Sequence, residues 1–186
     1  TYMAWMIPTA IGQACNTLIA NALGAGDAAG ARATFRSGLA LVAVTQAVLA
    51  AALYAGRACV VAAFTTAPAV TALAAATMPV VCAAVVSDGL NGLLSGVMRG
   101  CGRQAWGAWL NLVGYWCIGL PLSLVLGFTY DLTTQGFWAA LCAASVTQAL
   151  VLLAVLLRLD WGRETRRAQA LVAAGAAAGA GSTGLV

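Results

Sequence analysis

A chain of 186 residues that is 62% hydrophobic and 8% charged has too little polar surface to cover a water-soluble globule, so composition alone makes it a membrane protein. Its net charge of +4 rests on arginines set singly or in short clusters between apolar runs, with no aromatic-rich basic surface around them, which excludes nucleic acid as a partner. There is no His for a proton relay or a triad, and the six cysteines (Cys15, Cys59, Cys82, Cys101, Cys117 and Cys142) form no C-x-x-C pair, so no metal site is read and they count as small hydrophobes.

A bilayer core needs about 20 mostly apolar residues per helix, and five windows supply them, at 2–22, 35–55, 70–98, 106–128 and 136–157. The first begins in mid-hydrophobic sequence, "TYMAWMIPTAIGQACNTLIA", without a basic n-region, so no secretory signal is read and the chain is expected to be a piece of a longer one. Thr9, Gln13 and Asn16 or Thr17 form a polar stripe along it. In the loop that follows, "GAGDAAG" has the wrong spacing for a dinucleotide fingerprint and follows a helix where a strand is required. It ends one helix and caps the next with Asp27.

The third window contains "VVCAAVVSDGLNGLLSGVMRG", residues 80–100, with Asp88 near its middle. A carboxylate at that depth costs about 2.5–3.5 kcal/mol on insertion scales, so something must offset it. Asn91 and Ser95 follow at three and seven residues and share its helix face. Desolvation disfavours the charged form of any carboxylate, so such a group can hold a proton and release it when water or a cation approaches. That is the physical basis of proton coupling, and it makes Asp88, with Asn91 beside it, the candidate coupling site. Gly92, Gly96 and Gly100 lie on a neighbouring face at small-xxx-small spacing, which suits close packing against another helix.

In the fourth window Asn111 and Tyr115 pair at i, i+4, and Pro121 is expected to act as a hinge because it removes an amide donor. Gln13, Asn16, Ser95, Asn111 and Tyr115 are the candidate walls of a substrate cavity, with Trp5 and Trp116 as weaker candidates. Trp106, Trp109, Trp138 and Trp161 fall near window ends, as an interfacial aromatic belt would place them. Residues 163–186 form a cytoplasmic tail, Ala/Gly-rich beyond its three arginines, and are expected to lack order. Arg32, Arg36, Arg99, Arg103, Arg158, Arg163, Arg166 and Arg167 all fall on one face, against Arg57 on the other, which places the first face in the cytoplasm. A β-barrel is excluded because no apolar/polar alternation is present.

The order of "NALGAGDAAGAR", "SDGLNGLLSGVMRGCGRQAWGAWLNLVGYWCIGLPLSLVLGF" and "GFWAALCAASVTQALVLLAVLLRLDW" resembles the C-terminal half of multidrug and toxic compound extrusion transporters of the plant type, over residues 1–162. The resemblance implies an all-α polytopic bundle, its five transmembrane helices equivalent to helices eight to twelve of a twelve-helix transporter and to most of its C-terminal six-helix lobe. It also implies a proton-coupled antiporter for organic cations, xenobiotics or secondary metabolites, with H+ (Na+ as the alternative) as coupling ion and no other cofactor. Asp88 falls at the position of the family's helix-ten acid. The family's facing acid on helix seven has no counterpart in residues 1–186, and Leu18, Ala20 and Asn21 stand where the family has an Arg-x-Gly-Asn pattern.

The partners implied are the bilayer, a small organic substrate and the N-terminal lobe of the same transporter, in the plasma or the vacuolar membrane. Two other readings are a truncated, non-transporting membrane subunit and a related lipid-linked flippase. An enzyme is not expected, because one intramembrane Asp offers no complete reaction site.

Overall fold

Bilayer solvent leaves a backbone no partner but itself, and helices answer that requirement here. The computed structural model describes residues 2–65, 67–130 and 132–182, and among these every regular element is a helix. The first, α1 (Tyr2–Gly24), ends where Gly26 takes a φ of +87°. The next, α2 (Ala28–Ala55), starts where Asp27 Oδ1 accepts the Gly30 N–H at 2.8 Å, the cap expected from the sequence. A short α3 (Arg57–Ala62), which no sequence signal announced, leads to α4 (Pro68–Gly100), the 33-residue hub along which α1, α2 and α7 pack.

After the turn at Gly102 comes one rod, Gln104–Thr129, built from α5 (Gln104–Val113), a π-helical turn (Gly114–Gly119), α6 (Leu120–Leu124) and a second π-helical turn (Val125–Thr129). Pro121 sits between the two widened turns. Widening is one way a helix absorbs a proline that cannot donate to the preceding turn, and the rod stays continuous through it. The last long helix is α7 (Thr133–Leu157), followed by α8 (Trp161–Ser182).

Four described helices are long and apolar enough to cross a bilayer: α2, α4, the Gln104–Thr129 rod and α7. The fifth expected span, α1, has the length but falls short in apolar content, because Gln13, Asn16 and Asn21 dilute its run. The segment from residue 163 departs from expectation too, since α8 carries helix to Ser182. Alanine is the strongest helix former, so an Ala-rich run needs only an anchor to start it. Residues 183–186 lie outside the described residues.

That anchor is Glu164, 3% exposed, which accepts from Arg103 Nη2 at 2.5 Å and lies 3.6 Å from Arg167 Nη1. The Glu164 hydrogen bond holds the Arg103 guanidinium pKa above its ordinary value. Burial, then Glu164, push the neighbouring Cys101 thiol up to about 12 against the pull of Arg103, so it stays a protonated hydrophobe. Arg103→Ala leaves a buried carboxylate without its close partner and is expected to cost about 3 kcal/mol. Arg167→Ala, at a half-exposed cation, is expected to cost below about 1 kcal/mol. Thermal melts of the purified protein check the ranking, and equal losses would contradict it.

The dry core lies towards this arginine-rich end, where Ile19, Leu23, Phe35, Val42, Leu93, Val97, Met98, Leu152 and Leu156 meet. Trp161 belongs to it, 7% exposed and tilted on Phe35 at 5.8 Å between centroids, so it is a core residue and not part of an interfacial belt. Trp106 and Trp109 are 60% and 65% exposed, as belt positions require. Among apolar surfaces there is little gain from burial in lipid, so close approach has to hold α1 on α4. Gly12, Gly92, Gly96 and Gly100 provide it: a Cβ on Gly12 would stand 2.5 Å from the Gly92 carbonyl oxygen, and one on Gly100 2.8 Å from that of Asn16.

Candidate functional site

Above that core the inner faces turn polar and leave a cavity of about 340 Å³. Helix α4 supplies Asp88, Asn91, Gly92, Ser95 and Arg99, at the three- and four-residue steps that keep side chains on one helix face. Thr9 and Gln13 come from α1 at i, i+4, and Asn111 and Tyr115 enter from the Gln104–Thr129 rod at the same spacing. The π-helical turn that begins at Gly114 carries Tyr115, and such turns often re-aim side chains at functional sites. Gln148 of α7 closes the ring.

A hydrogen-bonded chain fixes the carboxylate. Ser145 Oγ donates to Asp88 Oδ1 at 2.5 Å, and Asn91 Nδ2 donates to the Ser145 carbonyl at 2.9 Å and to its Oγ at 3.0 Å. The network ties α4 to α7 across 57 residues of sequence and gives Asp88, half-buried, a set orientation. Asn91 Oδ1 is buried and has no hydrogen-bond partner among the described residues. Behind Asp88, the Gln46 side chain of α2 packs directly on Gly89, in the space a β-carbon there would take, and Gln46 Oε1 likewise lacks a partner among the described residues. A cavity with one anchored carboxyl group suits a cation or water.

Arg99 also lines the cavity, eleven residues from Asp88 and so about 16 Å along the helix axis. One end of the cavity therefore carries a carboxyl group and the other a guanidinium. Among the described residues no three His, Cys, Asp or Glu converge as a metal site would require.

Of the residues singled out in the sequence, the structure brings Asp88, Asn91, Gln13, Ser95, Asn111 and Tyr115 to this one cavity. Asn16 stands apart from it: its backbone packs on Gly100 at the α1–α4 crossing. Pro121 lies farther along the rod and is not among the lining residues. Trp116 is 66% exposed and borders a separate apolar recess with Phe137 and Leu141, and the Trp5 side chain lies outside the described residues. Ser145, Gln148 and Arg99 were missed. Ser145 and Gln148 lie three apart in the apolar run "CAASVTQALV", the same one-face polar spacing that picked out Asp88 and Asn91.

The MatE family profile matches residues 1–125. Protein DETOXIFICATION 37 of Arabidopsis thaliana is 33% identical over 169 residues, which cover 89% of this chain and 33% of the relative. Protein DETOXIFICATION 4 of the same plant is 33% identical over 165 residues, covering 89% and 35%. The crystal structure of the eukaryotic MATE transporter AtDTX14 superposes with a TM-score of 0.85 at 30% identity, over 91% of this chain and 38% of that one. A multidrug resistance MATE family transporter in an inward-facing conformation shares the fold, with a TM-score of 0.74 at 18% identity. The chain thus spans about a third of the length of these curated relatives, 33% and 35%.

Proposed function

The chain belongs to the MatE family, and from that membership we propose that it is part of a secondary active transporter that exports organic cations, xenobiotics or secondary metabolites in exchange for protons. The observation that carries this reading is Asp88, held by Ser145 in a polar cavity lined by α1, α4, the Gln104–Thr129 rod and α7. A single carboxylate compensates one positive charge at a time, so a proton and an organic cation compete for it. Arg99 repels cations from its own end and leaves the Asp88 end as their seat.

In this reading the arginine-rich face is cytoplasmic, the membrane is the plasma or the vacuolar membrane, and a second lobe closes the cavity and rocks against this one to alternate access. H+ is the coupling ion, with Na+ the alternative, and no bond-making chemistry is assigned. The flippase alternative calls for a cavity with several arginines to hold phosphate, and Arg99 is the one arginine among the described lining residues.

The test uses the full-length transporter in sealed proteoliposomes with an acidic lumen and a pH dye inside. Adding ethidium outside is expected to raise the luminal pH as protons leave in exchange. Ethidium entry without any luminal pH change contradicts the proposal.

A further inference from the structure

A second recess, of about 760 Å³, opens at the arginine-rich end of α2, between the first turns of that helix and the corner from α7 to α8. Transport as read above makes no use of it. Arg32 and Arg36 stand one turn apart along one wall, both exposed and neither ion-paired among the described residues. Across the recess stand Asp160, Trp161 and Gly162, and a Cβ on Gly162 would be 3.4 Å from Asp160 Oδ1 and 3.7 Å from Arg166 Nη1. The acidic residue in the lining, Asp160, already accepts the Arg163 backbone N–H at 3.1 Å. The buried Trp161 on Phe35 makes that corner rigid. A concave surface with two guanidinium groups one turn apart on one wall suits an anion with several oxygens, which arginine binds through paired N–H donors.

The depth of the recess indicates where such an anion comes from. Four and eight residues beyond Arg36, on the same broad face of α2, are Ala40 and Val44, and Val44 and Val48 are 62% and 64% exposed. Because α2 is long and apolar enough to cross a bilayer, an exposed apolar strip along it suits acyl chains and a recess at its end suits a headgroup. We propose that the Arg32–Arg36 recess binds the phosphate of an anionic lipid headgroup, with the lipid's acyl chain lying along Ala40, Val44 and Val48. The bound lipid would brace the α2 end against the α7–α8 corner. This site is independent of Asp88 and of proton coupling.

The test titrates the detergent-purified full-length transporter with phosphatidic acid or phosphatidylcholine and counts bound lipid by native mass spectrometry. One saturable phosphatidic acid is expected, and Arg32→Gln/Arg36→Gln should weaken it by roughly 30-fold, the loss of two interfacial arginines. Arg57→Gln, a control for net charge at an arginine stacked on Tyr54, should leave it unchanged. Arg32→Lys/Arg36→Lys should retain part of the binding, and because both side chains are exposed all variants should melt as wild type does. Displacement by inorganic phosphate supports a phosphate site but overturns the lipid as its source. Equal binding of phosphatidylcholine, or undiminished binding by the double Gln variant, overturns the proposal.

Discussion

Asp88→Asn is expected to abolish proton-driven uptake of ethidium by the full-length transporter while leaving its insertion and melting temperature close to wild type. The amide is nearly isosteric and keeps an oxygen for the Ser145 hydroxyl, so the α4–α7 link survives. The charge does not. Two unit charges 4 Å apart at an effective dielectric of 20 attract by about 4 kcal/mol, so losing the carboxylate removes up to about a thousandfold in cation affinity. Ser145→Ala separates charge from placement: it keeps the carboxylate but frees its orientation, and should lower uptake by roughly tenfold, the equivalent of one charge-assisted hydrogen bond. Uptake rates in sealed vesicles, normalised to inserted protein, check both. Wild-type uptake by Asp88→Asn would make Asp88 a hydrogen-bonding residue between helices and nothing more.

Gly96→Ala is expected to be the most damaging small substitution at the α1–α4 crossing. A Cβ there would stand 2.6 Å from the Gly12 carbonyl carbon and 2.9 Å from its Cα. Those atoms are backbone and cannot swing aside, so the two helices must separate and lose contact along their length. The cost is about 3 kcal/mol, at the upper end for overpacking. Gly107→Ala is the matching control, because its Cβ would meet nothing within 4 Å, and it should be neutral or stabilise by up to about 1 kcal/mol. Thermal melts in detergent measure both, and a harmless Gly96→Ala would mean that α1 is not held by this crossing.

Much of the fold was legible because bilayer solvent writes it plainly: apolar length gave α2, α4, the Gln104–Thr129 rod and α7 with ends close to those observed, except the start of α2, which lies seven residues ahead of its apolar window and was marked by the Asp27 cap. What the sequence concealed has identifiable causes. The π-helical turns around Pro121 are a backbone response to packing and carry no residue signature of their own. The helix of α8 was masked by its glycines, and its start depends on Glu164 meeting Arg103, a contact 61 residues away in sequence. Trp161 looked interfacial from its place at a window end, and only the corner from α7 to α8 turns it inward onto Phe35.

The cavity divides in the same way. One-face spacing placed Asp88, Asn91 and Ser95 together on α4, and the rules of helix geometry required no more than the sequence to do so. Which other polar stripe faces them is a question of helix order in space. The stripe on α1 splits at the crossing: Gln13 reaches the cavity, while Asn16, three residues on, packs on Gly100 instead. Ser145, which donates to Asp88, carries little signal in sequence as one hydroxyl in an apolar span, where Ser can bond back to its own helix.

The claim at the centre of this account is that proton and organic cation exchange at Asp88. Proton release on substrate binding tests it most directly, with the full-length protein in weakly buffered detergent solution and a pH dye to follow added ethidium. Wild type should release on the order of one proton per bound cation, and Asp88→Asn none. Equal release from both proteins, or cation binding by wild type with no release at all, would contradict it.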